Sequence, residues 1–199
     1  MPVISRSRHL RVAAMDEGVW RTLTDRDERI WLFNPPDSLL DDPMVQRRLT
    51  LDVAEGGCNR SAFKVATRKP WYRTPMPEAP SAFMSGMQSG GPWLTLNGMP
   101  TLSATNTLYV VHFASSVTED EQFAIGLAFL TTKVRKQLLR RARRYADGLW
   151  KHEPGCLRSI VMPDIGECRE SKAKFLSAMH AHLHGDFVAA QRLADNAFS

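Results

Sequence analysis

The spacing of apolar and polar positions divides the chain into a strand-rich middle and a helical remainder. Residues 79–118 contain no Asp, Glu, Lys or Arg, and Gly, Pro, Ser, Thr and Asn are scattered among them. Within this segment the apolar runs 93–96 and 108–113 are short, rich in β-branched or aromatic residues, and bounded by turn residues, as buried strands are. The pattern therefore predicts a small mixed or antiparallel sheet.

The pattern changes to helix at Thr118. This residue is a predicted N-cap, because residues 119–121 are all acidic and suit the positive end of a helix dipole. An apolar stripe follows at steps of three, four and seven residues and consists of Phe123, Leu127, Leu130, Val134, Leu138 and Tyr145. We expect one long amphipathic helix that ends at Gly148.

The two ends of the chain also favour helices and turns. Asp16 and Thr24 are candidate caps of short helices near the N-terminus. A final helical stretch runs over 167–198, with Gly185 and Asp186 forming a turn between two helices. The predicted fold class is therefore α+β, with a small mixed or antiparallel sheet, a long basic amphipathic helix and a C-terminal helical tail.

We expect a main domain over residues 1–165, with the helical tail of residues 166–199 packed on it. The 199 residues are 43% hydrophobic and 24% charged, which is typical of a globular protein. The three cysteines form no zinc-binding or disulfide pattern, which favours a reducing cytoplasm. No apolar run is long enough for a membrane span or an export signal, so we expect no membrane partner.

Positive charge is concentrated in the middle of the chain. The net charge is +5, and the whole excess lies within residues 51–150. No acid occurs between 133 and 144, and on a helix five cations there fall within an arc of about 100°. They are Lys133, Lys136, Arg140, Arg143 and Arg144. This stripe is either a solvated helix face or a surface that binds a polyanion.

A second basic segment covers residues 68–73, just before Pro75, and mixes cations with aromatic residues around Pro70. Its members are Arg68, Lys69, Trp71, Tyr72 and Arg73. Arginine pairs with guanine edges or phosphates, lysine neutralises phosphate, and an aromatic ring stacks or wedges, so the segment is a candidate nucleic-acid contact loop. The alternative is that the rings are core residues at the sheet edge and the cations are solvated.

His180, His182 and His184 occupy alternate positions, a spacing that gives only a weak indication of a metal site. Alternate residues converge on a strand and diverge on a helix, and the flanking sequence predicts a helix. No paired Cys or carboxylate lies near enough in sequence to complete a zinc site. We therefore expect surface or capping roles for these histidines and no metal.

Several stretches of the chain resemble the C-terminal target-recognition region of adenine-specific DNA methyltransferases of restriction-modification systems. The resemblance covers nearly the whole chain, and its specific parts are Arg68 with the turn 70–72, the turn 106–108, and the segment Gly148-Leu149, Lys151, 153–155. In that family a preceding Rossmann-like core binds S-adenosylmethionine and carries an Asn/Asp-Pro-Pro-aromatic motif. The resemblance implies that this chain selects the DNA sequence, carries no cofactor itself, and relies on a catalytic domain elsewhere for S-adenosylmethionine.

Asn34-Pro35-Pro36 is similar to that catalytic motif but lacks its aromatic residue. The fourth position is Asp37, which has no face to stack on an extruded base. Gly18 is the only glycine before Asn34, so a glycine-rich turn for the cofactor is missing as well. We expect a Pro-Pro turn here and no catalytic residues in this chain.

The resemblance transfers no base-specific role to single positions, so the tasks that we expect on double-stranded DNA come from side-chain chemistry. Phosphate contacts are expected from Lys133, Lys136, Arg140, Arg144 and Lys151, which set the register without reading bases. Arg68, Lys69 and Arg73 are expected to reach a groove, with Tyr72 beside them and Trp71 filling space near the target base. Asn97 and Asn106 are candidates for adenine edges, with capping of turns as the alternative.

Three functions remain open from the sequence. The first is a DNA-binding target-recognition module without enzymatic activity of its own. The second is the recognition half of a two-chain adenine-specific DNA methyltransferase that is active only with a separate catalytic subunit. The third is a protein-interaction module whose basic helix meets an acidic partner.

Overall fold

The computed structural model describes residues 1–89 and 91–199, and its α+β architecture confirms the predicted fold class. The α-helices are α1 (Glu17–Asp25), α2 (Pro43–Thr50), α3 (Phe63–Ala66), α4 (Glu119–Ala128), α5 (Thr132–Arg141), α6 (Pro154–Arg158), α7 (Ser171–Leu183) and α8 (Phe187–Asp195). The strands are β1 (Val3–Ile4), β2 (Ala14–Met15), β3 (Ala82–Met84), β4 (Met87–Gln88), β5 (Thr95–Asn97), β6 (Ser103–Ala104), β7 (Tyr109–Val111), β8 (Arg143–Arg144) and β9 (Trp150–Lys151). Single turns of 3-10 helix lie at Ser7–Leu10, Asp37–Leu39, Val53–Glu55 and Ala146–Gly148.

The predicted sheet lies where the charge-free segment placed it and is mixed. Its strand order is β2-β5-β3-β7, with β2 parallel to β5 and the other pairs antiparallel. Phe83 in β3 is fully buried and lies opposite Thr95 on one side and Val110 on the other. A segment without charged side chains can bury its central strand on both faces, which explains why 79–118 supplies three of the four strands.

Two smaller sheets flank this one. Strand β1 pairs in parallel with β6, and this joins the N-terminus to the middle of the chain. The other is antiparallel with the order β4-β9-β8, so β8 is an edge strand. Since β8 is the pair Arg143–Arg144, positively charged side chains protect this edge from pairing with another strand.

The single long helix predicted over 118–148 is wrong in its length. Thr118 does cap a helix, since the backbone N–H of Glu121 donates to its Oγ1 at 3.3 Å. The helix stops at Ala128, and Thr131 starts α5 by donating its hydroxyl to the Ala128 carbonyl oxygen (2.7 Å) and accepting from Val134 N (3.3 Å). A Thr hydroxyl bound to backbone on both sides competes with helix continuation.

The cap predictions near the N-terminus have opposite outcomes. Asp16 caps α1, because its Oδ1 accepts from the backbone N–H of Val19 at 2.8 Å. Thr24 caps no helix: it lies inside α1, where its hydroxyl donates to the Trp20 carbonyl oxygen at 3.0 Å.

The C-terminal tail forms the two predicted helices, α7 and α8, on either side of the turn at Gly185 and Asp186. It packs closely on α4, where a Cβ at Gly126 would lie 2.7 Å from the Phe175 ring, so only glycine fits there. One apolar cluster joins the tail to the sheet and to α4, and it includes Ala82, Leu96, Phe123, Leu127, Phe175 and Met179.

A second cluster lies around the N-terminal segment and includes Ile4, Leu10, Met15, Phe83, Leu102 and Leu108. It holds the first 15 residues against the sheet, so the N-terminal segment is part of the core. Within the described residues, the helices are all too short or too polar to cross a membrane.

Candidate nucleic-acid interface

Residues 60–74, here called the basic loop, carry five cations and no acid. All three of its arginines make hydrogen bonds within the protein, and Arg60 donates to the Leu49 carbonyl oxygen. Arg68 is half-buried and donates from Nη1 to Thr74 Oγ1 at 3.1 Å. Arg73 donates to the Pro35 carbonyl oxygen and pairs with Asp37. Lys69 is exposed, and no ion pair involves it among the described residues.

The turn at Asn34-Pro35-Pro36 is the support for this loop. The Asn34 side chain donates from Nδ2 to the Thr74 carbonyl oxygen (3.1 Å), and its Oδ1 accepts from Thr74 N (3.2 Å). Together with Arg73, these bonds join two segments about 40 residues apart. The amide is therefore occupied by backbone, which supports the Pro-Pro turn interpretation and leaves Asn34 no free group for a substrate amine.

The two aromatic residues of the basic loop pack against their neighbours. Trp71 and Tyr72 are half-buried and meet edge to face, with ring centroids 5.8 Å apart. The guanidinium of Arg60 lies 5.0 Å from the Trp71 centroid, and that of Arg73 lies 5.6 Å from the Tyr72 centroid. Both rings are thus engaged by each other and by an arginine, which favours a shape-forming role for them.

A groove of 570 Å³ brings residues of the basic loop together with a distant asparagine. Lys64 and Arg68 of the basic loop line it together with Thr105 and Asn106. The rest of the lining is mainly apolar and includes Leu32, Met76, Pro77, Leu108 and Val110. Arginine and asparagine across one groove form a set of donors and acceptors suited to base edges.

The two asparagines singled out from the sequence differ in their surroundings. Asn97 donates from Nδ2 to the carbonyl oxygens of Pro80 (2.8 Å) and Leu102 (3.3 Å), and its Oδ1 accepts from Met99 N (3.0 Å). Its amide is thus used in capping a turn, the alternative that the sequence left open. Asn106 is exposed at the groove.

Helix α5 presents Lys133, Lys136 and Arg140 to solvent, and we call these three residues the basic face. Their spacing of three and four residues places them within an arc of about 60°. All three are exposed, and no acid pairs with them in the part of the chain that the structure describes. The basic face therefore projects unneutralised charge into solvent, as an anion-binding surface does.

Arg143 and Arg144 do not continue the basic face, because α5 ends at Arg141 and these two residues form β8. Successive residues of a strand point to opposite sides, so the shared arc predicted for five cations is wrong for this pair. Arg144 is exposed and lies 5.8 Å from the centroid of the Trp150 ring.

Lys151 in β9 is half-buried and forms an ion pair with Glu153 at 2.9 Å. The hydrogen bond and charge of this carboxylate raise the pKa of Lys151, and those of Lys151 lower the pKa of Glu153. Part of the lysine charge is therefore neutralised inside the protein, which makes Lys151 a weaker phosphate contact than the residues of the basic face.

A second, largely apolar groove of 520 Å³ lies between the sheet and α6. It shares Leu108 and Val110 with the first groove and extends to Leu157 and Arg158. Helix α6 packs on α5, and the Gln137 side chain of α5 binds both backbone groups of Val161 just beyond α6 (2.9 and 3.0 Å). The two grooves thus adjoin at Leu108 and Val110, and the second one reaches α6, which packs on the helix of the basic face.

The inner side of α5 carries a buried cation that the sequence did not single out. Arg135 is 6% exposed, and its Nε and Nη1 have no hydrogen-bond partner among the described residues. Burial lowers the pKa of its guanidinium. His152 is fully buried, and burial and the charge of Arg135 lower its pKa. Nothing in the local sequence separates Arg135 from its exposed neighbours except its position opposite Lys133.

His182 belongs to the same buried region. Its ring meets Trp93 and Phe187 edge to face at centroid distances of 5.0 and 5.1 Å. Burial lowers the pKa of His182 to about 4, with smaller contributions from Arg135 and Arg11. The imidazole is therefore neutral at pH 7 and acts as a packed aromatic group, whereas the sequence predicted a surface or capping role for it.

The other two histidines of the alternating triad are exposed, as predicted. His180 and His184 lie one helical turn apart with their rings stacked at 4.2 Å, and His184 Nδ1 lies 2.8 Å from the His180 carbonyl oxygen. Among the side chains that the structure describes, no three of His, Cys, Asp or Glu cluster in a way that would hold a metal ion.

Comparison with known proteins gives one family and one relative. The sequence model of the family described as "Type II methyltransferase M.Eco57I, C-terminal domain" matches residues 1–197. The chain is 23% identical over 174 residues to the type II methyltransferase M.AccI of Acinetobacter calcoaceticus. This alignment covers 83% of the chain but 30% of M.AccI, so the chain spans less than a third of that relative. No solved structure matches the chain.

Proposed function

The chain belongs to the family of type II methyltransferase C-terminal domains represented by M.Eco57I, and we propose that it is the DNA target-recognition region of an adenine-specific methyltransferase. This membership confirms the resemblance to a C-terminal region of restriction-modification methyltransferases. In the proposal, residues 1–165 contact double-stranded DNA, and residues 166–199 support them. The protein acts in the cytoplasm, where its DNA substrate is found.

The observation that carries this proposal is the basic face. Lys133, Lys136 and Arg140 are exposed on one side of α5 and have no acidic partner among the described residues. Each lysine or arginine that neutralises a phosphate releases a condensed counterion, which gives sequence-independent affinity. The basic face therefore positions the protein on the DNA backbone, with Arg144 and Lys151 as neighbouring contacts.

Sequence selection belongs to the groove between the basic loop and Asn106. The Asn106 amide is exposed and suits the N6 and N7 positions of adenine, and Arg68 suits guanine. Lys69 adds a phosphate contact at the rim. Asn97, Trp71, Tyr72 and Arg73 are used in hydrogen bonds or packing within the protein, so we propose that they shape this surface and do not read bases.

Methyl transfer takes place in a catalytic region outside these 199 residues, which binds S-adenosylmethionine. In support of this, the Asn34 amide is bound to the Thr74 backbone, and Asp37 stands where the catalytic motif has its aromatic residue. In this proposal, the present chain holds and selects the duplex, and the catalytic region binds the adenine and the cofactor.

Fluorescence anisotropy with a labelled DNA duplex over a salt series tests the proposal. We expect a dissociation constant in the micromolar range or weaker, because the phosphate contacts act alone, and a steep loss of affinity as salt rises. Addition of S-adenosylmethionine is expected to change neither value. Absent or salt-independent binding would contradict the proposal and would favour a protein-interaction module.

In a second version, the catalytic region is a separate polypeptide. The largely apolar groove beside α6 favours this version, because Val111, Phe113 and Ile125 are only partly covered along it. Co-purification of a catalytic subunit and restored methyl transfer on mixing would support the two-chain enzyme. A monodisperse monomer that co-purifies with no such subunit from its source cells would contradict it.

A further inference from the structure

Phe63 is the most exposed large apolar side chain of the described residues, at 81%. It opens the single-turn helix α3 inside the basic loop, next to Lys64. A phenylalanine gains nothing from exposure to water, because burial of its apolar ring is favourable. The residues around Phe63 therefore indicate which kind of partner would cover its ring.

Phe63 is exposed because the loop around it is fixed. Its carbonyl oxygen accepts from the backbone N–H and the hydroxyl of Thr67, each at 3.1 Å. On the same short helix, Val65 faces inward and lines a cavity of 270 Å³ with Trp71 and Tyr72. The helix thus turns one apolar side chain inward and holds the other outward.

The surroundings of Phe63 are basic. The segment 56–77 contains five cations and no Asp or Glu, and the next residue, Lys64, lies on the wall of the groove that holds Arg68 and Asn106. An acid-free, positively charged surface attracts a polyanion and repels basic partners. Nucleic acid is the polyanion that also offers flat apolar faces, because every base has a π-face.

We infer that Phe63 is a wedge that inserts at a base step of the duplex beside the groove of Arg68 and Asn106. The inference rests on the proposed DNA function and names the residue that opens the stack. Apolar side chains inserted between base steps unstack them and kink the duplex. Trp71, which the sequence named as a candidate for filling space beside the target base, has its ring engaged by Tyr72 and Arg60.

The test compares two duplexes of identical sequence, 30 base pairs long, one intact and one with a single central abasic site. An abasic site lowers the cost of unstacking, so a wedge binds that duplex more tightly. We expect the unmodified chain to prefer the abasic duplex by about tenfold, within the range of base–aromatic stacking. Phe63→Ala removes the preference, and Phe63→Leu retains part of it.

Val188→Ala is the matched control, because Val188 is 77% exposed on α8 and lies outside the basic loop. It keeps the preference of the unmodified chain. The salt dependence of Phe63→Ala stays unchanged, since no phosphate contact is removed. Circular dichroism of each variant confirms that it is folded.

The outcomes separate the inference from the proposed function. Equal preference in Phe63→Ala and the unmodified chain overturns the wedge and leaves DNA binding standing. Binding to both duplexes without any preference in the unmodified chain overturns it as well. Absence of binding by the unmodified chain overturns the proposed function and with it the wedge.

Discussion

The basic loop and the basic face contain similar side chains in opposite situations. In the basic loop, Arg60 is tied to the Leu49 carbonyl oxygen, and Arg73 is tied to the Pro35 carbonyl oxygen and to Asp37. On the basic face, Lys133, Lys136 and Arg140 reach solvent without an acidic partner among the described residues. The first arrangement fixes the shape of a surface, and the second supplies its electric field.

This difference shows that a count of cations does not locate a DNA contact. An arginine bound to backbone and carboxylate contributes less free charge and more rigidity. A lysine on an exposed helix face contributes charge that counterions and phosphates compete for. Variants of the two regions should therefore fail in different measurements.

The largest effect is expected when the basic face is neutralised. The triple substitution Lys133→Gln, Lys136→Gln and Arg140→Gln removes three phosphate contacts, so the slope of log affinity against log salt becomes shallower by about two to three. Anisotropy over a salt series measures this slope. The matched control removes the same charge from the exposed residues Arg21, Arg26 and Arg29. An equal change in both variants would contradict a localised contact.

Acid should destabilise the folded protein through His182, which lies in the buried region behind the basic face. The pKa of His182 is about 4 in the folded protein and about 6.5 in the unfolded chain. Above pH 6.5 both states are neutral and the shift has no effect. Below it the unfolded state binds the proton first, so stability falls between pH 6.5 and 4 by about 3 kcal/mol.

Urea unfolding at pH 7 and at pH 4.5 measures this loss. His182→Phe keeps an aromatic ring beside Trp93 and removes the titrating group, so the loss should become smaller. His9 and His152 also have lowered pKa values, with burial as the main cause, and they leave some dependence on pH. An unchanged pH dependence in His182→Phe would contradict this assignment.

Asn34→Ala tests whether the basic loop contributes shape and not charge to the DNA-binding surface. The substitution removes both hydrogen bonds to the Thr74 backbone, and loss of such a pair costs about 1–3 kcal/mol. Hydrogen exchange in 60–74 should accelerate, while the salt slope of DNA binding stays the same. Asn196→Ala is the control, because Asn196 is exposed at the end of α8 and lies outside the basic loop and its groove. A change in the salt slope would place the charge contacts in the loop.

The smallest effect is expected at Lys151. Glu153→Gln removes the carboxylate that pairs with it, so the lysine charge becomes available to phosphate. The salt slope should steepen by less than about one contact, and affinity at low salt should rise slightly. Anisotropy detects the change, and Asp164→Asn is a control at an exposed acid. Weaker binding in Glu153→Gln would contradict this view.

The sequence predicted the elements that depend on local pattern. The charge-free segment supplies three of the four strands of the central sheet, Thr118 caps α4, and the turn at Gly185 separates α7 from α8. The break at Thr131 was missed, because the apolar spacing continues through Leu130 to Val134 as if the helix did. The connection between α4 and α5 is three residues long, so the spacing of the apolar residues continues across it and does not indicate that the helix ends.

Features that depend on distant contacts were not predictable. The bonds between Asn34 and Thr74 join positions 40 residues apart, and neither local sequence indicates them. Arg135 lies among exposed cations, and only the packing of α5 shows that it is buried. The exposure of Phe63 depends likewise on how α3 is turned. The candidate site is therefore visible in composition, while the tasks of its residues require the fold.

Selection from a pool of random DNA duplexes tests the central claim most directly, because it asks for recognition and not merely for binding. The bound duplexes are sequenced after repeated rounds at moderate salt. The account predicts enrichment of one short motif that contains adenine, with the enrichment lost in a variant carrying Arg68→Ala and Asn106→Ala. Salt-dependent binding without enrichment of any motif would contradict target recognition by this chain.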